Sequence, residues 1–313
     1  MMDAERKPIT VGIPRAMLYY QYGTIWKAFF EALGVKTVLS PPTNREILEE
    51  GIRLSVDETC LSAKVFMGHV HALIGKCDYI FIPRYSSFRH DEVFCTRFEG
   101  LYDQTRNIFR TSPQRFLSCN IDAKNHQSEG DAFQALGVSL GFSAKESRQA
   151  YRQALKKQQA EQKAAVRNQE AAAKKDGLKI LIVGHPYLLS DPYLGKPILD
   201  FFRESGTILL RADHTNRDRA KTACMEFSPT CRWIMSKELV GGAMLWKDRA
   251  DGMILLSAFP CGPDSMTNEL MTRKLKDIPV LNLVLDAQSG TAGIETRLES
   301  FLDIIRFKKG SPV

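Results

Sequence analysis

The sequence predicts an α/β protein made of two doubly wound, parallel-sheet (Rossmann-like) lobes, related by internal duplication and joined by a long basic helix. Three observations predict it. Strand-like and helix-like runs alternate through most of the 313 residues, a pattern that gives parallel sheets with helices on both faces. A strand, a Gly-x-Pro turn, a Phe-Phe helix and a stop glycine recur at an offset of 172 residues. A stretch rich in Ala, Gln, Lys and Arg separates the two copies. The expected domains are an N-terminal lobe over 1–142 with Cys60 and Cys95, a connecting basic helix over 143–177, and a C-terminal lobe over 178–313 with Cys261.

The first copy opens with the strand 9–13, ending in Gly12-Ile13-Pro14. A helix follows over 24–33, carrying Phe29-Phe30 and stopping at Gly34, and a second strand over 35–39. The second copy opens with the strand 179–183, ending in Gly184-His185-Pro186. It has a helix over 196–204 with Phe201-Phe202, a stop at Gly206 and a strand over 207–210. Gly12 to Phe29 and Gly184 to Phe201 are both seventeen residues. Further strands are expected at 79–83, 115–119, 253–257 and 280–285. Ligands of such sheets bind outside the carboxyl ends of the strands. Between the copies, Ser143 and Glu146 have capping-box spacing. The apolar positions Tyr151, Leu155 and Val166 are too sparse for a coiled-coil seam.

Apolar residues make up 44% of the chain and charged residues 25%, as in a soluble globular protein. No apolar run approaches the roughly 20 residues of a membrane span. The amino-terminal residues show no secretory signal, and the reading is cytoplasmic. The net charge is +7, but between Lys145 and Asp176 nine Lys or Arg face four Asp or Glu. Most of the excess therefore sits on one helix. It reads as a solvated face, or as a docking surface for an acidic partner, and not as a nucleic-acid site.

Seven cysteines are present, and in a reducing compartment they are buried, catalytic or metal-bound more often than paired. Cys60 lies at a predicted helix start with Lys64 one turn on, where the helix dipole favours a thiolate. Cys95 is in a loop after the strand that ends near Pro83. Cys261 follows the 253–257 strand in a Pro-Cys-Gly-Pro turn. By topology all three can face a cleft between the lobes. Soft thiolates suit zinc, copper(I) or iron–sulfur centres. No Cys-x-x-Cys pair exists, so zinc ribbons and ferredoxin loops are excluded. Spacing alone leaves three unrelated thiols as the simpler alternative. Cys77 is read as structural and Cys119 as the best substitute ligand. Cys224 and Cys231, seven apart, are read as one face of a helix, a zinc pair only if a residue such as His214 joins them.

The residues Val11-Gly12-Ile13-Pro14-Arg15, Cys60-Leu61-Ser62-Ala63-Lys64, Gly68-His69 and Cys77-Asp78-Tyr79 through Arg84 form one set of motifs. Gly184-His185-Pro186-Tyr187, Phe259-Pro260-Cys261-Gly262-Pro263-Asp264-Ser265 and the closing run from Ala292 to Phe301 form another. Together they resemble the acyl-CoA dehydratase activase-related proteins, relatives of the 2-hydroxyacyl-CoA dehydratase subunits. The resemblance implies a [4Fe-4S] cluster, or a larger iron–sulfur cluster as in some relatives, held by Cys60, Cys95 and Cys261. It also implies a separate ATP-hydrolysing activase that supplies low-potential electrons. The chain itself has no Gly-x-x-x-x-Gly-Lys-Ser/Thr loop. Where dehydratase subunits carry prolines near the first two ligands, it has Ser62 and Thr96.

The functional expectation is low-potential electron transfer, or reduction of a small molecule or an acyl-CoA, as an iron–sulfur-dependent reductase or dehydratase-type lyase. The alternatives are a non-catalytic cluster-bearing accessory or scaffold for an activase, and a metal-free Rossmann-like small-molecule binder. Expected partners are an ATP-dependent activase or another redox protein and a small-molecule or acyl-CoA substrate, with no nucleic acid and no membrane; a homodimer is compatible with the sequence. Candidate proton-handling residues are His69, His185, Glu58 and Lys64, with Arg84 beside them. Asp264 and Ser265 read as helix caps. The run 289–293, Ser-Gly-Thr-Ala-Gly, reads as a turn and cap, or as an anion cradle.

Overall fold

The structure, a computed structural model, describes residues 9–287 and 292–310. Most of the 289–293 run lies outside the described residues. The chain divides into two compact units, Met1–Val56 with Ala63–Glu161, and Asp57–Ser62 with Gln162–Val313. Both are α/β with parallel sheets. No helix among the described residues is long and apolar enough to cross a membrane.

The first unit contains β1 (Thr10–Ile13), α1 (Tyr19–Ala32), β2 (Lys36–Leu39), α2 (Arg45–Arg53), α3 (Leu61–His71) and β3 (Tyr79–Phe81). There follow β4 (Arg84–Arg89), β5 (Glu92–Val93), α4 (Thr96–Ile108), β6 (Arg115–Leu117), β7 (Asn120–Asp122), α5 (Glu129–Ser139) and the start of α6 (Ala144–Ala173). Its main sheet is parallel with order β2-β1-β3-β6. Asp78, just before β3, fixes the register: its carboxylate accepts the Thr10 N–H at 2.8 Å, and its own N–H donates to Thr10 C=O at 3.1 Å.

Sequence reading missed a second, three-stranded sheet, β5-β4-β7. Its cause is Pro83, which has no N–H to donate. On either side of it the ladder continues, Ile82 N–H to Leu117 C=O and Arg84 N–H to Cys119 C=O, both at 2.8 Å. The strand therefore breaks at the proline and resumes as β4, which turns back through the antiparallel β5. Tyr85, fully buried, packs this sheet against Tyr22, Trp26 and Phe94.

The second unit contains β8 (Lys179–Val183), α7 (Pro186–Leu189), α8 (Lys196–Glu204), β9 (Ile208–Arg211), α9 (Arg217–Phe227) and α10 (Ile234–Trp246). It closes with β10 (Gly252–Ala258), α11 (Gly262–Lys274), β11 (Val280–Leu285) and α12 (Ala292–Lys308). The sheet is parallel, β11-β10-β8-β9. Read from its first strand, this is the order of the first unit's main sheet. The register device also recurs: Asp251 accepts Lys179 N–H and donates to Lys179 C=O, both at 2.8 Å.

The two Phe-Phe helices end alike. Gly34 and Gly206 have φ of +70° and +74°, which glycine adopts without strain. Val35 N–H reaches Phe30 C=O and Thr207 N–H reaches Phe202 C=O, closing a Schellman motif in each case. A shared strand order is common among doubly wound sheets, so these features repeat the plan without establishing common descent.

α6 starts with the expected capping box: Glu146 accepts the Ser143 N–H, and Ser143 Oγ accepts the Glu146 N–H. All nine Lys and Arg residues between Lys145 and Lys175 are exposed. Two glutamines on the opposite side are satisfied by backbone. Gln158 takes Ile25 N–H and gives to Gln21 C=O in the first unit. Gln169 takes Arg211 N–H and gives to Arg211 C=O in the second.

Beyond the end of β2, His69 is fully buried. Ser40 Oγ accepts Arg15 N–H and lies 2.8 Å from His69 Nδ1, within hydrogen-bond distance. Nε2 lies 2.9 Å from Thr43 Oγ1, so both ring nitrogens meet a hydroxyl. Burial, aided by the Arg15 guanidinium, pushes the imidazole down to about 3.

Two predictions follow from this packing. In the unfolded chain a histidine titrates near 6.5, so between about pH 6.5 and about pH 3 the unfolded state binds one proton more than the folded state. Stability is therefore lost as pH falls through this window, by about 1.4 kcal/mol per pH unit from His69. Urea unfolding of wild type and His69→Gln at several pH values checks this; an equal slope in both would assign it to other groups. Gly241 on α10 lies against α9, and a Cβ there would stand 1.6 Å from the Ala220 carbonyl oxygen. Gly241→Ala is expected to destabilise the protein by at least about 1–3 kcal/mol in urea titrations, because two helices must separate to admit one methyl group.

Candidate functional site

The second unit brings Cys60 and Cys261 together. β10 is buried throughout and runs out at Ala258. The chain then emerges at Phe259 and turns at Cys261 into α11. Cys261 thus stands at the carboxyl rim of a central strand and is the residue before a helix. The segment 57–62, which sequence order placed in the N-terminal lobe, belongs to this unit. Leu61 N–H donates to Phe259 C=O at 2.9 Å, which sets the Cys60 and Cys261 segments side by side. Burial, then the facing Asp264, push the Cys261 thiol well up, and Cys60 adds to the effect. Both cysteines are half-buried. A side chain at Gly262 would meet nothing within 4 Å, so the turn borders open space.

Cys60 directly precedes α3, between Thr59 and Leu61. The hydroxyls of Thr59 and Ser62 are buried without a hydrogen-bond partner among the described residues. Cys95, in the first unit, directly precedes α4 and is also half-buried. Its backbone is pinned by its neighbours: Phe94 N–H donates to Ser86 C=O, Phe98 N–H donates to Cys95 C=O, and both phenylalanines are buried. The three candidate ligands thus share one setting. Each is the residue before a helix, at the positive end of its dipole, which favours anions.

The other cysteines differ. Cys77 packs where Gly12 leaves room, since a Cβ on Gly12 would be 2.6 Å from its sulfur, and its thiol points to Leu73 C=O. Cys119 is buried, and burial raises its thiol pKa well above the ordinary value. Cys224 and Cys231 do not lie on one helix face as expected: α9 stops at Phe227 and the chain folds back before Cys231. Both are buried in the second unit's core. His214, the proposed companion, lies beside Asp213. Among the described residues no three His, Cys, Asp or Glu side chains are gathered as a ready metal site.

One constellation escaped the sequence reading. Asp264, expected as a cap, sits in the first turn of α11 with 5% exposure, and its Oδ1 lies 2.8 Å from Nε2 of His185. His185 ends the β8 run, is 4% exposed and stacks on Tyr187. Three atoms here are buried without a partner among the described residues: His185 Nδ1, Asp264 Oδ2 and Asn268 Nδ2. With Asp264 ionised, Nε2 carries the ring proton and Nδ1 is left as an acceptor. The dyad joins residues 79 apart, so no local motif could announce it. The pairing of β8 with β10 puts the turns after these strands next to each other. Ser265 does act locally, its hydroxyl donating to Cys261 C=O.

The remaining candidates are scattered. His69 is sealed in the first unit's core. Glu58 is exposed, and Lys64 is half-buried on the first turn of α3. Arg84 pairs with Asp103 at 2.6 Å and covers the Tyr102 ring.

None of the curated proteins compared matches this chain. A solved Bacillus subtilis structure named as a "putative phosphosugar isomerase" aligns over 98% of this chain and 90% of its own. It does so at 10% identity and a TM-score of 0.27, too remote a likeness to bear on function. The sequence profile described as the CoA enzyme activase uncharacterised domain (DUF2229) matches residues 10–214, well over half of the chain. The chain therefore belongs to the family of the CoA enzyme activase uncharacterised domain.

Proposed function

We propose that this protein carries an iron–sulfur cluster on Cys60, Cys95 and Cys261 and uses it in low-potential electron transfer or in reduction of a small molecule or acyl-CoA, served by an ATP-dependent activase. The observation that carries the reading is the common setting of the three thiols. Each is half-buried and precedes a helix, and two of them lie side by side. The donor set fits: thiolates are the ligands of such clusters, and helix amino termini offset the negative charge that accumulates on them. A cluster held there would supply single electrons at low potential.

The chain's own groups divide the remaining work. Helix N-termini lie at Cys60, Cys95 and Cys261, and their dipoles would offset the charge of thiolates held by iron. Asp264 fixes the His185 ring by its Nε2, which leaves Nδ1 as the ring's acceptor nitrogen. The exposed basic face of α6 suits an acidic partner, and attraction of that kind accelerates encounter and is screened by salt. Membership of the activase-related family makes an activase the partner of choice.

Anaerobic reconstitution with iron and sulfide tests the first part. The expected product is brown and binds about four iron and about four sulfide per chain. Cys60→Ser, Cys95→Ser and Cys261→Ser should each lose most of the iron, and Cys77→Ser should keep it. A colourless product, or full iron in all three variants, would sink the proposal. Replacing Lys156, Lys157, Lys174 and Lys175 by Glu should abolish salt-sensitive binding to the activase while thermal stability changes little. Unchanged binding would move the docking surface elsewhere.

A further inference from the structure

A second group of thiols lies in the core of the second unit and takes no part in the site above. Cys224, on the last turn of α9, is fully buried, and Cys231, just beyond that helix, is 7% exposed. Two turn hydrogen bonds fold the chain back between them: Ser228 N–H to Cys224 C=O at 2.7 Å, and Cys231 N–H to Ser228 C=O at 3.2 Å. Both cysteines belong to the same buried cluster, and each thiol acts on the other's ionisation. Lys237 on α10 is 4% exposed, and its ammonium acts on both sulfurs.

Helix packing explains the meeting. Gly241 of α10 lies on Ala220 of α9. One turn back along α10 is Lys237, and one turn forward along α9 is Cys224, so the close glycine contact carries the lysine up to the thiol. Interaction with Cys224, with help from Lys237, draws the Cys231 thiol below its ordinary range. The same interaction, with burial, pushes Cys224 up. Pro229, Thr230 and Arg232 are exposed, so a reagent reaches Cys231 first.

We propose that Cys224 and Cys231 form a redox-active dithiol whose substrate is a low-molecular-weight disulfide, with Cys231 as the attacking sulfur, Cys224 as the resolving sulfur and Lys237 as the positioning charge. The Cys231 thiolate attacks one sulfur of RSSR, forms a mixed disulfide and expels RS⁻, which takes up the proton Cys231 gave up. Cys224 then loses its proton and attacks the Cys231 sulfur, and the second RS⁻ leaves and is protonated in turn. Two protein thiols are thereby oxidised to one disulfide, and RSSR is reduced to two RSH. The inference is independent of any iron bound elsewhere. A turn that folds the chain back between two thiols of one buried cluster favours closure of a disulfide of about 2 Å, and exchange of this kind runs through the thiolate.

The test equilibrates the reduced, folded, full-length protein with oxidised glutathione under anaerobic conditions, alkylates what remains free and maps the peptides. A Cys224–Cys231 crosslink is expected. Cys224→Ala should stop at a glutathione adduct on Cys231. Lys237→Met should slow exchange at neutral pH about three- to tenfold, because a higher thiol pKa lowers the thiolate fraction while partly raising its nucleophilicity. Recovery of both cysteines as free thiols at every glutathione ratio would overturn the proposal, as would crosslinking only after denaturation, or crosslinks at other cysteines while this pair stays reduced. Exchange by Lys237→Met at the wild-type rate would remove the lysine from the assignment. If Cys224→Ala fails to fold, the wild-type peptide map decides alone.

Discussion

The pairing of the first strand with the third governs each unit. β1 lies beside β3, and β8 beside β10, although another strand and at least one helix separate them in sequence. Parallel neighbours need a crossover, and crossovers of one hand send the turns after both strands to the same rim. In each unit an aspartate ahead of the third strand grips the first residue of the first strand through two hydrogen bonds. A one-residue slip would exchange the faces of every side chain on the strand. The nearness of His185 to Asp264, and the place of Cys261 beside them, follow from that register.

Much of this was written in local signals. The stop glycines Gly34 and Gly206 mark positive φ, which only glycine takes freely. The Ser143–Glu146 pair closes as a capping box, and the strands at 179–183 and 280–285 lie where β-branched and leucine runs put them. What escaped was non-local. Pro83 reads as the end of a strand, and only the hydrogen bonds on both sides of it show that the ladder continues into a second sheet. Asp264 reads as a cap because acidic residues in the first turn of a helix commonly serve that end; its side chain pairs instead with a residue 79 positions away. Cys224 and Cys231 look like one helix face until Ser228 and Pro229 are seen to end the helix between them.

The cysteines show how burial sorts residues of one type. At a helix start and half in water, a thiol is open to a ligand, as at Cys60, Cys95 and Cys261. Inside the core, as at Cys119, desolvation holds the proton on and the sulfur behaves as a small apolar group. In the Cys224–Cys231 pair, a third case, interaction with Cys224 and then with the nearby Lys237 draws the Cys231 thiol down against desolvation. Sequence spacing cannot separate these cases, because each depends on what the rest of the chain packs around the sulfur.

The discontinuity of the second unit bears on how the chain is made. Residues 57–62 belong to that unit, yet leave the ribosome more than a hundred residues before its first strand, β8. The hydrogen bond from Leu61 to Phe259 spans 198 positions of the sequence. Thermodynamically so long a closure is mild, since its entropy grows only with the logarithm of loop length. Kinetically it is late: the first unit's strands can pair as they emerge, whereas the rim that carries Cys60 and Cys261 is complete only once β10 has been synthesised and docked. No single cut in the chain yields both units whole, and a fragment starting at β8 would carry Cys261 without Cys60.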